Sequence, residues 1–133
     1  QQLQAVKKVP KAVLSQEEIM RARSVVHEVY LDEKIEKYIV DLVFATRYPA
    51  EYRLQKLTPM ITFGGSPRAS ISLAQAAKSY AFLQHRAFVI PDDVRAIAHD
   101  VLRHRVGLSY EAEAENITPS MVIDEVISVV QVP

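Results

Sequence analysis

One stretch of this sequence combines residue types and spacing suited to chemistry: Gly64-Gly65-Ser66-Pro67-Arg68. Adjacent glycines let the backbone approach another group closely. Ser66 before Pro67 is a helix-start signature, because a proline at the first helical position gives up only an N–H that has no partner anyway. The open N–H groups at a helix start favour an anion. Arg68 falls in the first turn, where a cation is mildly unfavourable for the helix itself. A phosphate would compensate that charge. The same residues also fit a plain turn, a cap and a solvated arginine. The motif therefore nominates Gly64, Gly65, Ser66 and Arg68 as a candidate anion site without naming a reaction.

Other chemistry finds little support. The chain holds no G-x-x-x-x-G-K-[ST], no G-x-G-x-x-G and no G-x-S-x-G, so it lacks the usual phosphate cradles and the strained serine elbow. The four histidines are His27, His85, His99 and His104. None lies three or four residues from another, as helical ligands would, and no metal site is expected. Asp92-Asp93 directly follows Pro91, which points to helix capping rather than an acid–base pair. Glu111, Glu113 and Glu115 suggest a solvated acidic loop. Ser79, Tyr80 and His85 are neighbours in sequence, but nothing marks a nucleophile with its base.

The elements that must position the glycine–arginine stretch are helices. Ser15 and Glu18 form an S-x-x-E capping box, and Ile19, Ala22, Val26 and Val29 follow at helical spacing, giving a helix over 16–30. Asp32 caps the next. Ile35, Tyr38, Ile39, Leu42, Val43 and Thr46 make the cleanest amphipathic stripe in the chain, and that helix ends near Arg47. Residues 48–65 read as a long irregular segment of the kind often used for function, with a short extended piece near 60–63. A third helix runs from Pro67 to about His85, its stripe formed by Ala69, Leu73, Ala76, Ala77, Tyr80 and Ala81. Residues 87–90 are a short extended connection. Pro91 opens a fourth helix ending around His104-Arg105, 106–117 form a second loop, and Thr118-Pro119 open a fifth helix carrying Ile123, Val126, Ile127 and Val130. The expected fold is an all-α bundle of about five helices that bury their stripes together.

Composition agrees. With 133 residues, 49% of them hydrophobic and 24% charged, the chain can form one domain with a self-sufficient core. Lys+Arg and Asp+Glu both number 16, so nothing suggests a nucleic-acid partner. There is no cysteine, which excludes disulfides and thiolate metal sites. No apolar run approaches the roughly 18 residues of a membrane span. Only three glycines occur, few for the many turns of a sandwich or barrel.

Taken in order, the motifs resemble those of MoxR-type AAA+ ATPases. Gly64-Gly65-Ser66-Pro67-Arg68-Ala69 is similar to G-[AG]-S-P-R-A. Ala45-Thr46-Arg47 resembles an upstream A-T-R that ends a lid helix. Residues 86–94 resemble R-x-[YF]-V-x-P-x-D-[VI], residues 101–105 resemble V-L-x-H-R, and Val132-Pro133 resembles the closing V-P. Each motif is weak alone, but the ordered set spans about 15–133. One departure stands out: Ile90 replaces the Ser or Thr often found before the fourth-helix proline, leaving Asp92-Asp93 to cap.

The resemblance implies an α/β ATPase core followed by a helical lid. Walker A, Walker B, the first sensor and the arginine finger belong to the core, and none is present. Residues 1–14 are then expected to be a linker from a missing core and 15–133 the lid. By the same resemblance Arg68 is the second-sensor arginine and the catalytic residue of this piece. Gly64, Gly65 and Ser66 are nucleotide-proximal, and Arg47 and Arg105 are possible interface residues. ATP and Mg2+ would serve the full-length protein, with neither bound tightly here and no hydrolysis by the piece alone. The whole would be a cytoplasmic, hexameric homo-oligomeric ring, chaperone-like towards an unidentified client protein or metal-cofactor assembly. The competing interpretation is a nucleotide-independent helical interaction module with a groove for a partner helix.

Overall fold

The computed structural model describes residues 14–133. The expected linker therefore lies, Leu14 excepted, outside the described residues. The fold is all-α. Helices α1 (Gln16–His27) and α2 (Glu33–Arg47) are followed by two 3-10 turns, Pro49–Tyr52 and Gln55–Met60, and by strand β1 (Ile61–Phe63). Then come α3 (Pro67–Leu83), α4 (Pro91–Leu102), β2 (Gly107–Leu108), α5 (Tyr110–Ala114) and α6 (Pro119–Val129). Strands β1 and β2 pair antiparallel, with Ile61 opposite Leu108 and Phe63 opposite Gly107.

The helices start where the sequence places caps. Ser15 Oγ accepts from Glu18 N at 3.1 Å while Glu18 Oε1 accepts from Ser15 N at 2.9 Å, a complete capping box. Asp32 Oδ2 accepts from Lys34 N at 3.0 Å and Thr118 Oγ1 from Met121 N at 3.2 Å. At α4, Asp93 Oδ2 accepts from Ile90 N at 2.8 Å. A carboxylate three residues on thus covers the donor, while the Ile90 side chain can accept nothing and its carbonyl takes the Asp93 N–H instead.

Helix ends differ from expectation for a physical reason. The third helix stops at Leu83, not His85. His85 takes a left-handed conformation (φ 62°), His85 N donates to Phe82 O and Arg86 N to Ala81 O, which is a Schellman closure. The first helix stops at His27 rather than Tyr30. Tyr30 instead bridges the extended residues at 87–89, its N–H donating to Ala87 O and its carbonyl accepting from Val89 N. The fourth stops at Leu102 rather than His104-Arg105. Two expected loops carry structure. Residues 48–65 hold both 3-10 turns and β1, and 106–117 hold β2 and α5, with Glu111 and Glu113 in α5's first turn, where the helix dipole favours anions.

The core is centred on α2, which buries Ile35, Tyr38, Ile39, Leu42, Val43, Ala45 and Thr46. Leu73, Ala77 and Ala81 of α3 meet Val94, Ala98 and Leu102 of α4, and Val122, Ile123 and Val126 of α6 close the bundle. The alanines let α3 and α4 approach closely. One expectation fails: α1 buries no residue. Its Ile19 remains exposed and Ala22 and Val26 are half-buried, while Val29, just beyond it, joins the core.

Candidate functional site

The glycine–arginine stretch is built against the end of α2. Thr46, fully buried, donates its hydroxyl to Val43 O at 2.6 Å and accepts from Gly65 N at 2.9 Å. Neither glycine has a positive φ, so their smallness serves close approach rather than an unusual turn. A Cβ on Gly64 would lie 2.2 Å from Thr46 O and 2.6 Å from Arg47 N. A Cβ on Gly65 would crowd Ala69 and Val43 at 3.3 Å. The backbone of 64–65 is therefore seated on the last turn of α2 and immediately turns into α3.

Ser66 has the extended backbone of an N-cap (φ −79°, ψ 168°), yet its hydroxyl caps nothing. This corrects the expectation that Ser66 caps the helix. Ala69 N bonds instead to the Ser66 carbonyl at 2.8 Å, which leaves the hydroxyl unused. Arg68 is exposed in that side-chain-uncapped first turn and makes no ion pair among the described residues.

The other candidate arginines gather at the same end of the bundle. Arg105 donates to Ser72 Oγ at 3.2 Å. Ser72 follows Arg68 by four residues, so both lie on one face of α3. Arg47 belongs to the α2 turn on which Gly64 rests, and its guanidinium stacks on the Tyr48 ring at 5.6 Å. Phe44 meets the same ring edge-on. Like Arg68, Arg47 and Arg105 are exposed and take part in no salt bridge among the described residues. Lack of an anion partner alone selects nothing, since exposed Arg21, Arg23 and Arg53 share it; position at the α3 start does.

A family model for the AAA lid domain matches residues 56–126. The chain belongs to that family, and its relatives make it a MoxR-type member. It is 37% identical to Chaperone MoxR1 of Mycobacterium tuberculosis, over 92% of this chain and 33% of that protein. It is 38% identical to the uncharacterized protein YeaC of Bacillus subtilis, over 91% of this chain and 35% of that one. Protein MoxR of Paracoccus denitrificans is 36% identical over 74% and 31% respectively. A crystal structure of a candidate ATPase from Cytophaga hutchinsonii superposes with a TM-score of 0.86 and 41% identity, covering 88% of this chain and 36% of that one. The lid thus spans about a third of the length of the relatives it matches.

Two features of the lid were not anticipated. The first is the Thr46 hydroxyl, for which the available signal was a polar residue on the otherwise apolar α2 stripe. The second is an ion pair between Arg86 and Asp93, at 2.8–2.9 Å from Nη1 to both carboxylate oxygens. Asp93 is fully buried. A buried carboxylate needs such pairing and hydrogen bonding to be tolerated. Together the pair staples the α3–α4 connection. Two histidines also find structural places: His85 reverses the chain after α3, and His99 Nε2 meets Asp124 Oδ1 at 2.8 Å between α4 and α6. Among the described residues no group of three or more His, Asp or Glu could hold a metal, and no helix is long and apolar enough to cross a membrane.

Proposed function

We propose that this lid reports the nucleotide state of a longer MoxR-type AAA+ ATPase, with Arg68 reaching the terminal phosphate of bound ATP. The observation that carries this reading is the placement of Arg68. It is exposed, free of ion pairs among the described residues, and held in a helix start without a side-chain cap whose approach is fixed by Gly64 and Gly65. Exposed Ser66 lies close enough in sequence to line the same nucleotide-facing surface, while Gly64 and the buried Gly65 act by fixing the backbone that leads to it. Arg105, bonded to Ser72 on the α3 face that carries Arg68, and Arg47, at the end of α2, suit contacts with a neighbouring subunit of a ring.

Physically, the lid supplies charge rather than a reacting atom. A guanidinium–phosphate hydrogen bond contributes about 1.5–3 kcal/mol. Present with ATP and lost after hydrolysis, it shifts the balance between two lid orientations by up to that difference. An arginine that also neutralises charge in the transition state can speed phosphoryl transfer by about 10³–10⁵. The phosphate cradle would come from the remainder of the protein, and so would the residues that hold Mg2+. The lid alone hydrolyses no ATP on this reading, and the whole acts as a cytoplasmic chaperone-like ring.

The test is Arg68→Ala in the full-length protein. Turnover is expected to fall by about 10² or more, with the ring still assembled. Wild-type turnover and an unchanged response to nucleotide would sink the assignment.

One observation favours a nucleotide-independent interaction module. An apolar groove of about 790 Å³ runs between α1 and α3, lined by Ile19, Val26, Leu31, Ala74, Phe82 and Leu83 among others. Under that reading, Leu83→Asp abolishes partner binding while nucleotide changes nothing. A partner whose affinity follows ATP occupancy would speak against it.

A further inference from the structure

We infer that Thr46 is a positioning residue for Arg68, an inference that rests on the nucleotide-sensing reading above. Threonine hydroxyls in helices often bond back to a carbonyl three or four residues earlier, and that bond alone would be unremarked. Here the hydroxyl makes a second bond, to Gly65 N, across nineteen residues of sequence. The hydroxyl proton is directed at Val43 O, which leaves an oxygen lone pair to accept from Gly65 N.

The chain from that anchor to Arg68 has little slack. Only Ser66 and Pro67 intervene. Ser66 is held extended, and the ring of Pro67 locks its own φ. Gly64 rests on the Thr46–Arg47 peptide, and Gly65 is wedged between Val43 and Ala69. The position of the Gly65 amide therefore sets the origin of α3 and, with it, the Arg68 backbone. A charge-assisted bond to phosphate is made at about 2.7–2.9 Å, and misplacing a catalytic group by 1 Å can cost about 10²-fold. The side-chain neighbours of Gly65 besides Thr46 are apolar, Val43 and Ala69. A valine would fill the same space but leave the Gly65 N–H without its acceptor.

The experiment compares Thr46→Val, Thr46→Ser, Arg68→Ala and the Thr46→Val/Arg68→Ala double variant in the full-length ATPase, measuring kcat and KM for ATP. Thr46→Val is expected to lower kcat by about tenfold or more, with the same division between kcat and KM that Arg68→Ala produces. Thr46→Ser keeps the hydroxyl and should stay within about threefold of wild type, since it retains both bonds. In the Arg68→Ala background, Thr46→Val should cost nothing further, because a residue acting through Arg68 has nothing left to act on. Wild-type kcat in Thr46→Val beside a crippled Arg68→Ala would overturn the inference and leave the nucleotide-sensing reading standing. So would losses that multiply in the double variant. An unaffected Arg68→Ala would instead remove that reading and this inference together. If Thr46→Val does not fold, Thr46→Cys serves in its place. Its thiol bonds weakly, so its kcat should fall below that of Thr46→Ser, and equality with Thr46→Ser would count against the proposal.

Discussion

Helices α1 and α2 begin alike and end in different situations. Each has a polar N-cap bonded to its first turn, and each carries an apolar stripe at helical spacing. Yet α2 buries seven residues and α1 none. Ile19, Met20 and Val25 of α1 are each at least 41% exposed, whereas Leu42 and Val43 of α2 are wholly enclosed. An amphipathic pattern states that a face seeks cover. It does not state what supplies the cover. For α2 the cover is the rest of the lid. For α1 it is a shallow seat on α3 beside an open groove. The firmly held helix is the one whose last turn carries Thr46 and therefore the approach to Arg68.

The largest expected effect sharpens this contrast directly. Leu42→Ala removes a fully buried side chain from α2 and should lower unfolding stability by about 2–5 kcal/mol. Val26→Ala on α1, only half-buried, should cost less than about 1 kcal/mol. Urea unfolding of both variants measures this, and native-state hydrogen exchange should show α1 amides opening well below the global free energy. Equal costs would mean that α1 is a full member of the core.

A second contrast sets the seat of the glycine pair against the antiparallel pairing of β1 with β2. Gly64→Ala pushes a methyl onto the Thr46 carbonyl, a backbone atom that cannot turn aside. It should cost about 2–3 kcal/mol by overpacking. Gly107→Ala also meets a close neighbour, at 2.0 Å, but that neighbour is the edge of the Phe63 ring. Phe63 is 60% exposed and can swing outward, so the cost should stay below about 1 kcal/mol. Thermal melting of the two variants decides it. Similar losses would show that the 64–65 backbone yields as easily as a surface ring.

How much was legible in the sequence follows the same division. Caps and stripes are local, and Ser15, Asp32, Thr118 and the α2 stripe were all readable from spacing. The family motifs were readable as well, because the order of short words along the chain survives without coordinates. What escaped notice was contact across the chain. The bonds from Gly65 N to Thr46 and from Arg86 to Asp93 join residues of different elements, so no single helical period relates them. Ser66 failed as a cap although its type and place were right, because a backbone carbonyl had already taken the donor. The left-handed turn at His85 was hidden for a similar reason: glycine is the usual signal there, and a histidine gives none. That Arg68 forms no ion pair among the described residues was not legible, since it depends on which carboxylates other helices bring near.

The smallest effects lie at the two helix starts, and acid separates them. The Ser15 N–H, and then the Ser15 hydroxyl, hold the Glu18 carboxyl below its ordinary 4.5. The Lys34 N–H, and then the Tyr30 hydroxyl, hold Asp32 below 3.8. A carboxyl depressed by folding stabilises the fold at pH above its unfolded value, and that contribution is lost as pH falls through the folded value. Both caps should therefore weaken below about pH 4. Their consequences should differ, because α1 can fray alone while α2 cannot leave its core. Asp32→Asn should flatten the acid limb of the melting temperature. Glu18→Gln should leave that limb unchanged and instead speed exchange of the α1 amides at neutral pH. Were Glu18→Gln to flatten the acid limb as Asp32→Asn does, α1 would be unfolding together with the core, and the distinction between the two helices would not hold.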